Sequence, residues 1–389
     1  RTGNRVKFDP DWINRLLGTD IPAETMIGYF KKIDLGYDPE TKEVIVPSWR
    51  QDLEREADLA EEVARFYGYD NIPTTLPRGE ATAGKLSFKL RVEEKVREVA
   101  RFCGFSQGMC YSFESPKVFD KLLLPQDSPL RKTVVISNPL GEDFSIMRTT
   151  PLNGILTSLS TNFNRRNKDV RLYELGNIYI PKQVPVTELP EERMQLTLGM
   201  YGEGDFFTMK GVVEEILDAV GMKGLTVYDP KSGHPFLHPG RQADIVYENK
   251  VIGYLGEIHP VVAGNYSIKD RVYAAVLDMP EIVARATFDK KYEGIAKYPA
   301  VTRDLSLVVP KNVLAGEIES VFRQRGGKIL ESCRLFDIYE GSQIQEGFKS
   351  LAYTLTFRAK DRTLEEADIA SVMKKIMNGL SQLNIELRQ

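Results

Sequence analysis

The run Arg303-Asp-Leu-Ser-Leu-Val-Val309 is short, rich in β-formers and closed by Pro310, and it reads as a strand. Leu314, Ile318, Val321 and Phe322 then recur at helical spacing until Gly326-Gly327 stops the pattern. Residues 329–339 and 348–358 read as two further strands. In the second, Leu351, Tyr353, Leu355 and Phe357 share one face, because side chains alternate along a strand. Thr363-Leu-Glu-Glu366 has capping-box spacing and opens a helix whose stripe is Ile369, Val372, Ile376, Leu380 and Leu383. A last short strand is expected at Asn384-Ile-Glu-Leu387. The order βαββαβ is the split arrangement of a ferredoxin-like sandwich. Its helices cover one face of the sheet and leave the other open to RNA or to a neighbouring domain.

Working outward, 389 residues are too many for one compact core. A composition of 42% hydrophobic, 28% charged and 10% aromatic residues excludes disordered, collagen-like and coiled-coil classes. Lys plus Arg is 52 and Asp plus Glu is 55, so the net charge is −3 and any nucleic-acid contact must be local. No apolar run approaches the roughly 20 residues that span a bilayer, which argues against an integral membrane protein. Cys103, Cys110 and Cys333 form no CxxC pair and leave an odd thiol, which fits a reducing compartment. The opening Arg1-Thr-Gly-Asn-Arg-Val6 has neither an initiator Met nor a secretory signal, and the chain reads as a fragment whose missing part lies upstream.

Two punctuated stretches divide the chain: Asn71-Ile-Pro-Thr-Thr-Leu-Pro-Arg-Gly79 running into Ala81-Thr-Ala-Gly84, and Phe288-Asp-Lys-Lys-Tyr-Glu-Gly294. Three units result, at residues 1–75, 85–285 and 293–389, each of a size that suits a domain. In the middle unit a helix from Leu86 to Phe102 is expected to bury Leu90, Val96 and Ala100. Further helices are expected near residues 151–164 and 209–220. β-rich runs stand at residues 133–137, 170–174, 195–199, 243–247 and 272–277. Strand-rich meanders with a few helices predict a mainly antiparallel α+β layer, so the whole is a multidomain α+β protein.

The densest polar signal lies in the first unit. Asp58, Glu61 and Glu62 fall close together on a helix for which Asp58 is the expected N-cap, and Asp52 sits in the preceding turn. Like-charged carboxylates repel unless a cation neutralises them, and hard oxygen ligands suit Mg²⁺ or Ca²⁺. A solvated, capped helix countered by Arg55 and Arg65 explains the same residues. His234 and His238 have zinc-helix spacing, but Pro235 and Pro239-Gly240 forbid a regular helix there, and His259 adds no ligand set. Zinc is rejected. Neither GxGxxG nor GxxxxGK[ST] occurs, and no Ser-His-Asp or Cys-His signature can be assembled.

Three stretches resemble one family, the β subunit of bacterial phenylalanine–tRNA ligase. The first unit carries Val46-Pro-Ser-Trp-Arg-Gln-Asp-Leu53 and Asp58-Leu-Ala-Glu-Glu-Val-Ala-Arg-Phe-Tyr-Gly-Tyr-Asp-Asn-Ile-Pro73, similar to the family's small helical, winged-helix-like domain. The middle unit carries Asn138-Pro-Leu-Gly-Glu142, Met147-Arg-Thr-Thr-Pro-Leu152, Asp169-Val-Arg-Leu-Tyr-Glu-Leu-Gly176, His238-Pro-Gly-Arg-Gln-Ala243 and Leu255-Gly-Glu-Ile-His-Pro260. These resemble its degenerate class II synthetase core, an antiparallel sheet. Tyr298-Pro-Ala-Val-Thr-Arg-Asp-Leu-Ser306, Leu335-Phe-Asp-Ile-Tyr-Glu-Gly341 and Gly347-Phe-Lys-Ser-Leu-Ala-Tyr353 resemble its ferredoxin-fold anticodon-binding domain.

The resemblance covers nearly the whole chain and implies a C-terminal fragment without the family's N-terminal tRNA-binding and editing domains. It implies a non-catalytic, cytoplasmic subunit in a heterotetramer of two α and two β chains, with ATP and L-phenylalanine bound by α and with tRNA(Phe) as a partner whose anticodon this chain binds. It places a Mg²⁺ shared with α on Asp52, Asp58, Glu61 and Glu62, and an inter-subunit role on the Leu86–Phe102 helix. Arg303 and Lys349, inside matched motifs, become candidates for tRNA contact. No catalytic residue is expected. Arg171 and Glu174 are a faint echo of the class II ATP clamp, and the segment from Arg271 lacks a glycine-rich helix start. The alternative is a free-standing RNA-binding or regulatory scaffold without a ligase partner.

Overall fold

A computed structural model describes residues 3–81, 83–224, 226–231, 233–292 and 294–388. Thr82 and Glu293, inside the two expected connectors, lie outside the described residues, as do Arg1, Thr2 and Gln389 at the ends. The chain divides into two compact units, the first through Lys85 and the second from Leu86 onward.

The first unit contains β1 (Asn4–Lys7), α1 (Pro10–Leu17), α2 (Ala23–Lys31), β2 (Gly36–Asp38), β3 (Glu43–Val46) and α3 (Glu56–Tyr67). Asp9 caps α1 by accepting from the Trp12 amide at 3.0 Å, and Pro10 occupies its first turn. The strands form an antiparallel sheet in the order β1-β3-β2. Val44 and Val46 turn inward from it onto a core with Met26, Phe30, Leu59 and Val63. These strands, of three or four residues, are too short for their alternation to stand out in the sequence. Asp58 is not the N-cap of α3; Arg55 holds that position. Asp58 lies one turn inside and accepts from the Glu54 and Arg55 amides, each at 2.7 Å.

The second unit begins with a core built on β4 (Ser106–Gln107), β5 (Phe113–Glu114), β6 (Ile146–Met147), β7 (Val170–Ile180), β8 (Glu191–Tyr201), β9 (Thr226–Asp229), β10 (Leu237–Tyr247), β11 (Lys250–Ile258) and β12 (Val272–Asp278). Its helices are α4 (Phe88–Phe102), α5 (Val118–Lys121), α6 (Leu152–Asn164), α7 (Phe206–Ala219), α8 (Pro260–Asn265) and α9 (Met279–Arg285). Seven strands form one sheet in the order β4-β7-β8-β12-β11-β10-β9, antiparallel except where β4 meets β7. Both faces are covered. On β12, Tyr273, Ala275 and Leu277 pack with α4, α7 and α9, while Val272, Ala274 and Val276 pack with α6 and α8. Burial on two faces explains why Val272–Leu277 is apolar without alternation.

Two expectations are corrected here. Residues 133–137 form no strand; Val135 makes an isolated bridge to Ile146 and is itself exposed. On α4 the buried stripe is Val92, Val96 and Ala100, whereas Leu90 is 43% exposed, because it stands two residues before Val92 and so projects from a different side of the helix.

The chain ends in β13 (Val301–Pro310), α10 (Ala315–Gly326), β14 (Leu330–Tyr339), β15 (Phe348–Phe357), α11 (Glu366–Ser381) and β16 (Glu386–Leu387). The sheet order β14-β15-β13-β16 with the two helices on one face is the ferredoxin-like sandwich the sequence predicts. Leu305, Leu307 and Val309 join Leu351, Tyr353, Leu355 and Phe357 under the helices. Each large side chain contributes about 1.5–3 kcal/mol by leaving water. The capping box of α11 sits two residues later than expected: Glu365 is the N-cap, and its amide donates to Asp368 at 3.1 Å.

Candidate functional site

On α3, Leu59, Ala60 and Val63 bury one stripe, and Glu62 at its border is drawn in to 6% exposure. A carboxylate so buried needs donors. Arg50, in the turn before α3, places Nη2 at 2.6 Å from an oxygen of Glu62 and at 2.6 Å from one of Asp52. Arg65, one turn along, donates to the other Glu62 oxygen, through Nε at 3.2 Å. Burial pushes the Glu62 carboxyl up, but the hydrogen bonds of Arg50 and Arg65 outweigh it and hold the group below its ordinary value. The hydrogen bond from Arg50 likewise lowers Asp52.

The four expected metal ligands are thus neighbours but do not converge. Arg50 joins Asp52 to Glu62, Asp58 is engaged by two backbone amides, and Glu61 is exposed. Among the described residues no group of three or more His, Cys, Asp or Glu side chains is arranged to hold a metal ion. The charge of Asp52 is offset by the Arg50 guanidinium, and that of Glu62 by Arg50 and Arg65 together.

In the core, Arg171 and Glu174 differ by an odd number of positions on β7 and therefore point to opposite faces. Arg171 reaches the Glu203 carbonyl at 3.2 Å and is 3.9 Å from Asp169. Glu174 receives Arg148, whose Nη1 lies 3.1 and 3.2 Å from its two oxygens, and both side chains are nearly excluded from solvent. Arg148 also donates to the Asn177 carbonyl at 2.8 Å, and the Cys110 amide donates to Glu174 at 3.1 Å. Gly176 makes room for this pair: a Cβ there would lie 2.1 Å from Arg148 Nη2. Arg148 stands in the quoted string Met147–Leu152, yet nothing in the string reveals its partner 26 residues away. Arg241 and Arg271 both address Glu257, at 3.2 and 4.0 Å. The histidines serve local structure, His238 and His259 accepting from backbone amides two residues on and His234 lying 2.8 Å from Asp244.

In the sandwich, Arg303 and Lys349 have the strand parity of the helix-covered face, opposite Leu355 and Val309. Arg303 pairs with Glu366 at 2.6 Å, and Lys349 donates to the Lys311 carbonyl at 3.3 Å. The other face carries Asp304, Thr354 and Tyr339, and the Arg388 guanidinium lies over the Tyr339 ring at 5.3 Å. Sequence reading missed Arg388, which belongs to a stretch with no periodicity.

An α+β chain with this sandwich at its end is assembled from tRNA-synthetase modules: residues 296–388 match the Ferredoxin-fold anticodon binding domain, and residues 6–69 match the tRNA synthetase B5 domain. Residues 72–279 match the Phenylalanyl tRNA synthetase beta chain CLM domain. The chain belongs to the phenylalanyl-tRNA synthetase beta chain family. It is 44% identical over 386 residues to the phenylalanine–tRNA ligase beta subunit of Clostridium tetani, covering 98% of this chain and 48% of that protein. It is 40% identical over 388 residues to that of Clostridium acetobutylicum, covering 99% and 49%. The Bacillus subtilis beta subunit is 34% identical over 389 residues, covering 97% and 48%. The chain therefore spans about half the length of the curated relatives it matches.

Proposed function

We propose that this chain is the non-catalytic half of a phenylalanine–tRNA ligase, acting in the cytoplasm with an α subunit that binds ATP and L-phenylalanine. The observation that carries the reading is the Arg148–Glu174 pair. A triphosphate clamp needs arginines free to meet phosphate oxygens, and here the buried arginine is consumed by the buried glutamate beside it. The paired chain then has three tasks: assembly, support of a shared metal, and docking of tRNA(Phe). Assembly draws support from α4, which buries Val92 and Val96 inward and leaves Phe88, Leu90 and Phe102 exposed for a partner in an assembly of two α and two β chains.

Mg²⁺ shared with α on Asp52, Asp58, Glu61 and Glu62 belongs to this proposal, but the residues as folded do not fit a bound metal, since Arg50 spans Asp52 and Glu62. Loading would require Arg50 to leave Asp52 and a further ligand from α. Contact of Arg303 and Lys349 with tRNA is likewise proposed, resting on their place in an anticodon-binding domain. The deciding experiment is phenylalanine-dependent pyrophosphate exchange: none is expected from this chain, and exchange together with tRNA charging is expected once an α subunit is added. Exchange by the purified chain would overturn the assignment, and failure to associate with α would return it to a free-standing RNA-binding scaffold.

A further inference from the structure

A cavity of about 470 Å³ opens beside α6, on the face of the core sheet opposite α7. Phe113 and Phe144 give it apolar walls, and Cys110, Thr157 and Ser158 give it small polar ones. Glu114 of β5 also lines it and is 5% exposed. One of its oxygens accepts from Asn153 Nδ2 at 3.1 Å, and Asn153 in turn accepts from the Tyr266 hydroxyl at 2.9 Å. The other oxygen, Oε1, is buried with no hydrogen-bond partner. A buried acceptor left unmade costs about 1–3 kcal/mol, more when charged.

No basic side chain among the described residues forms an ion pair with Glu114. Lys117 is engaged by Glu142 at 3.2 Å, and Lys121 lies over the Tyr266 ring at 5.5 Å. Arg148, the nearest buried cation, is spent on Glu174. Asp143 stands at the rim. Burial therefore wins over the Asn153 hydrogen bond and the Arg148 charge, and pushes the Glu114 carboxyl up to about 7. Glu114 thus lacks one donor, and the cavity it lines has apolar walls and a volume within the ordinary range for small-ligand pockets.

We propose that this cavity binds a small organic molecule bearing a primary ammonium on an apolar, ring-sized body, the ammonium donating to Glu114 and the body lying against Phe113 and Phe144. A simple amine and a free aromatic amino acid share that chemistry. Isothermal titration of the full 389-residue chain with phenethylamine, L-phenylalanine and 3-phenylpropionate separates them.

At least one ammonium-bearing probe binds one-to-one, and the carboxylate without an amine does not. Affinity rises about tenfold from about pH 6 to about pH 8, as Glu114 ionises around 7 while the amine stays protonated. Glu114→Gln weakens binding at least about tenfold, the loss of a charge-assisted hydrogen bond. Phe144→Ala, on the half-exposed wall, weakens it several-fold with the melting temperature kept, so the inference stays testable if the first variant does not fold. No binding by either amine, equal binding by 3-phenylpropionate, or unchanged affinity in both variants overturns it.

Discussion

Arg148 meets both oxygens of Glu174, at 3.1 and 3.2 Å, from side chains 3% and 5% exposed. Two charges so deeply buried are held by each other and by few other groups. Removing one partner leaves an uncompensated charge, whereas removing both leaves only a packing defect.

Arg148→Met is therefore expected to destabilise the second unit by about 3–5 kcal/mol. The double variant Arg148→Met, Glu174→Leu should recover a large part of that loss. Urea unfolding of the two single variants and the double variant measures the coupling. Additive losses would mean that the pair does not act as a unit.

Gly176→Ala tests the same pair from the backbone. The new Cβ would sit 2.1 Å from Arg148 Nη2 and 3.0 Å from Glu174 Oε1, and neither atom belongs to a solvent-facing chain end that can swing away. A loss of about 1–3 kcal/mol is expected, as for overpacking of a core. A melting temperature equal to that of the parent would show that the pair has room to move.

Glu114 and Glu62 predict opposite responses to pH. Burial raises Glu114 from 4.5 to about 7, so the folded chain holds this proton more tightly than the unfolded one. The associated stability is present in full below about pH 4.5 and is lost as pH rises through about 7, by a few kcal/mol at most. Glu114→Gln should flatten the difference in stability between about pH 5 and about pH 8.

Glu62 is held below its ordinary 4.5 by Arg50 and Arg65, against its burial. Its contribution is present above about 4.5 and is lost as pH falls through the lowered folded value. Arg50→Gln should move the acid unfolding transition to higher pH. Chemical denaturation across the pH range reads both effects, and a parallel curve for either variant would contradict the corresponding assignment.

Arg50 also bears on the proposed Mg²⁺ site. Calorimetry of the chain with Mg²⁺ should give weak binding or none, because the guanidinium already neutralises Asp52 and Glu62. Addition of an α subunit should create the site, and Asp52→Asn or Glu61→Gln should then lower the affinity about tenfold or more. A tight one-to-one site in the chain alone would remove the need for α.

Reversing charge at Arg303 and Lys349 together is expected to raise KM for tRNA several-fold in the α-reconstituted enzyme and to leave kcat in place. Tyr339→Ala with Arg388→Ala serves as the comparison, since these residues lie on the opposite sheet face. If the second pair alone raises KM, the RNA surface is the face not covered by the helices.

The sequence by itself determined the elements whose signals are local. Alternation fixed Leu351, Tyr353, Leu355 and Phe357 on one face of a strand, and helical spacing fixed Ile369, Ile376 and Leu380 on one stripe. It also determined which four carboxylates cluster near α3, since Asp58, Glu61 and Glu62 share one turn. Where the signal was weak, at Leu90, at residues 133–137 and at the first turns of α3 and α11, packing and competing backbone donors decided the outcome. Only the tertiary structure decided what faces what: Arg50 between Asp52 and Glu62, Arg148 on Glu174, and Glu114 with one oxygen left over. Each depends on groups that meet across turns or across long stretches of chain, and the Coulomb and desolvation terms that set their chemistry follow distance and burial, which residue order does not encode locally.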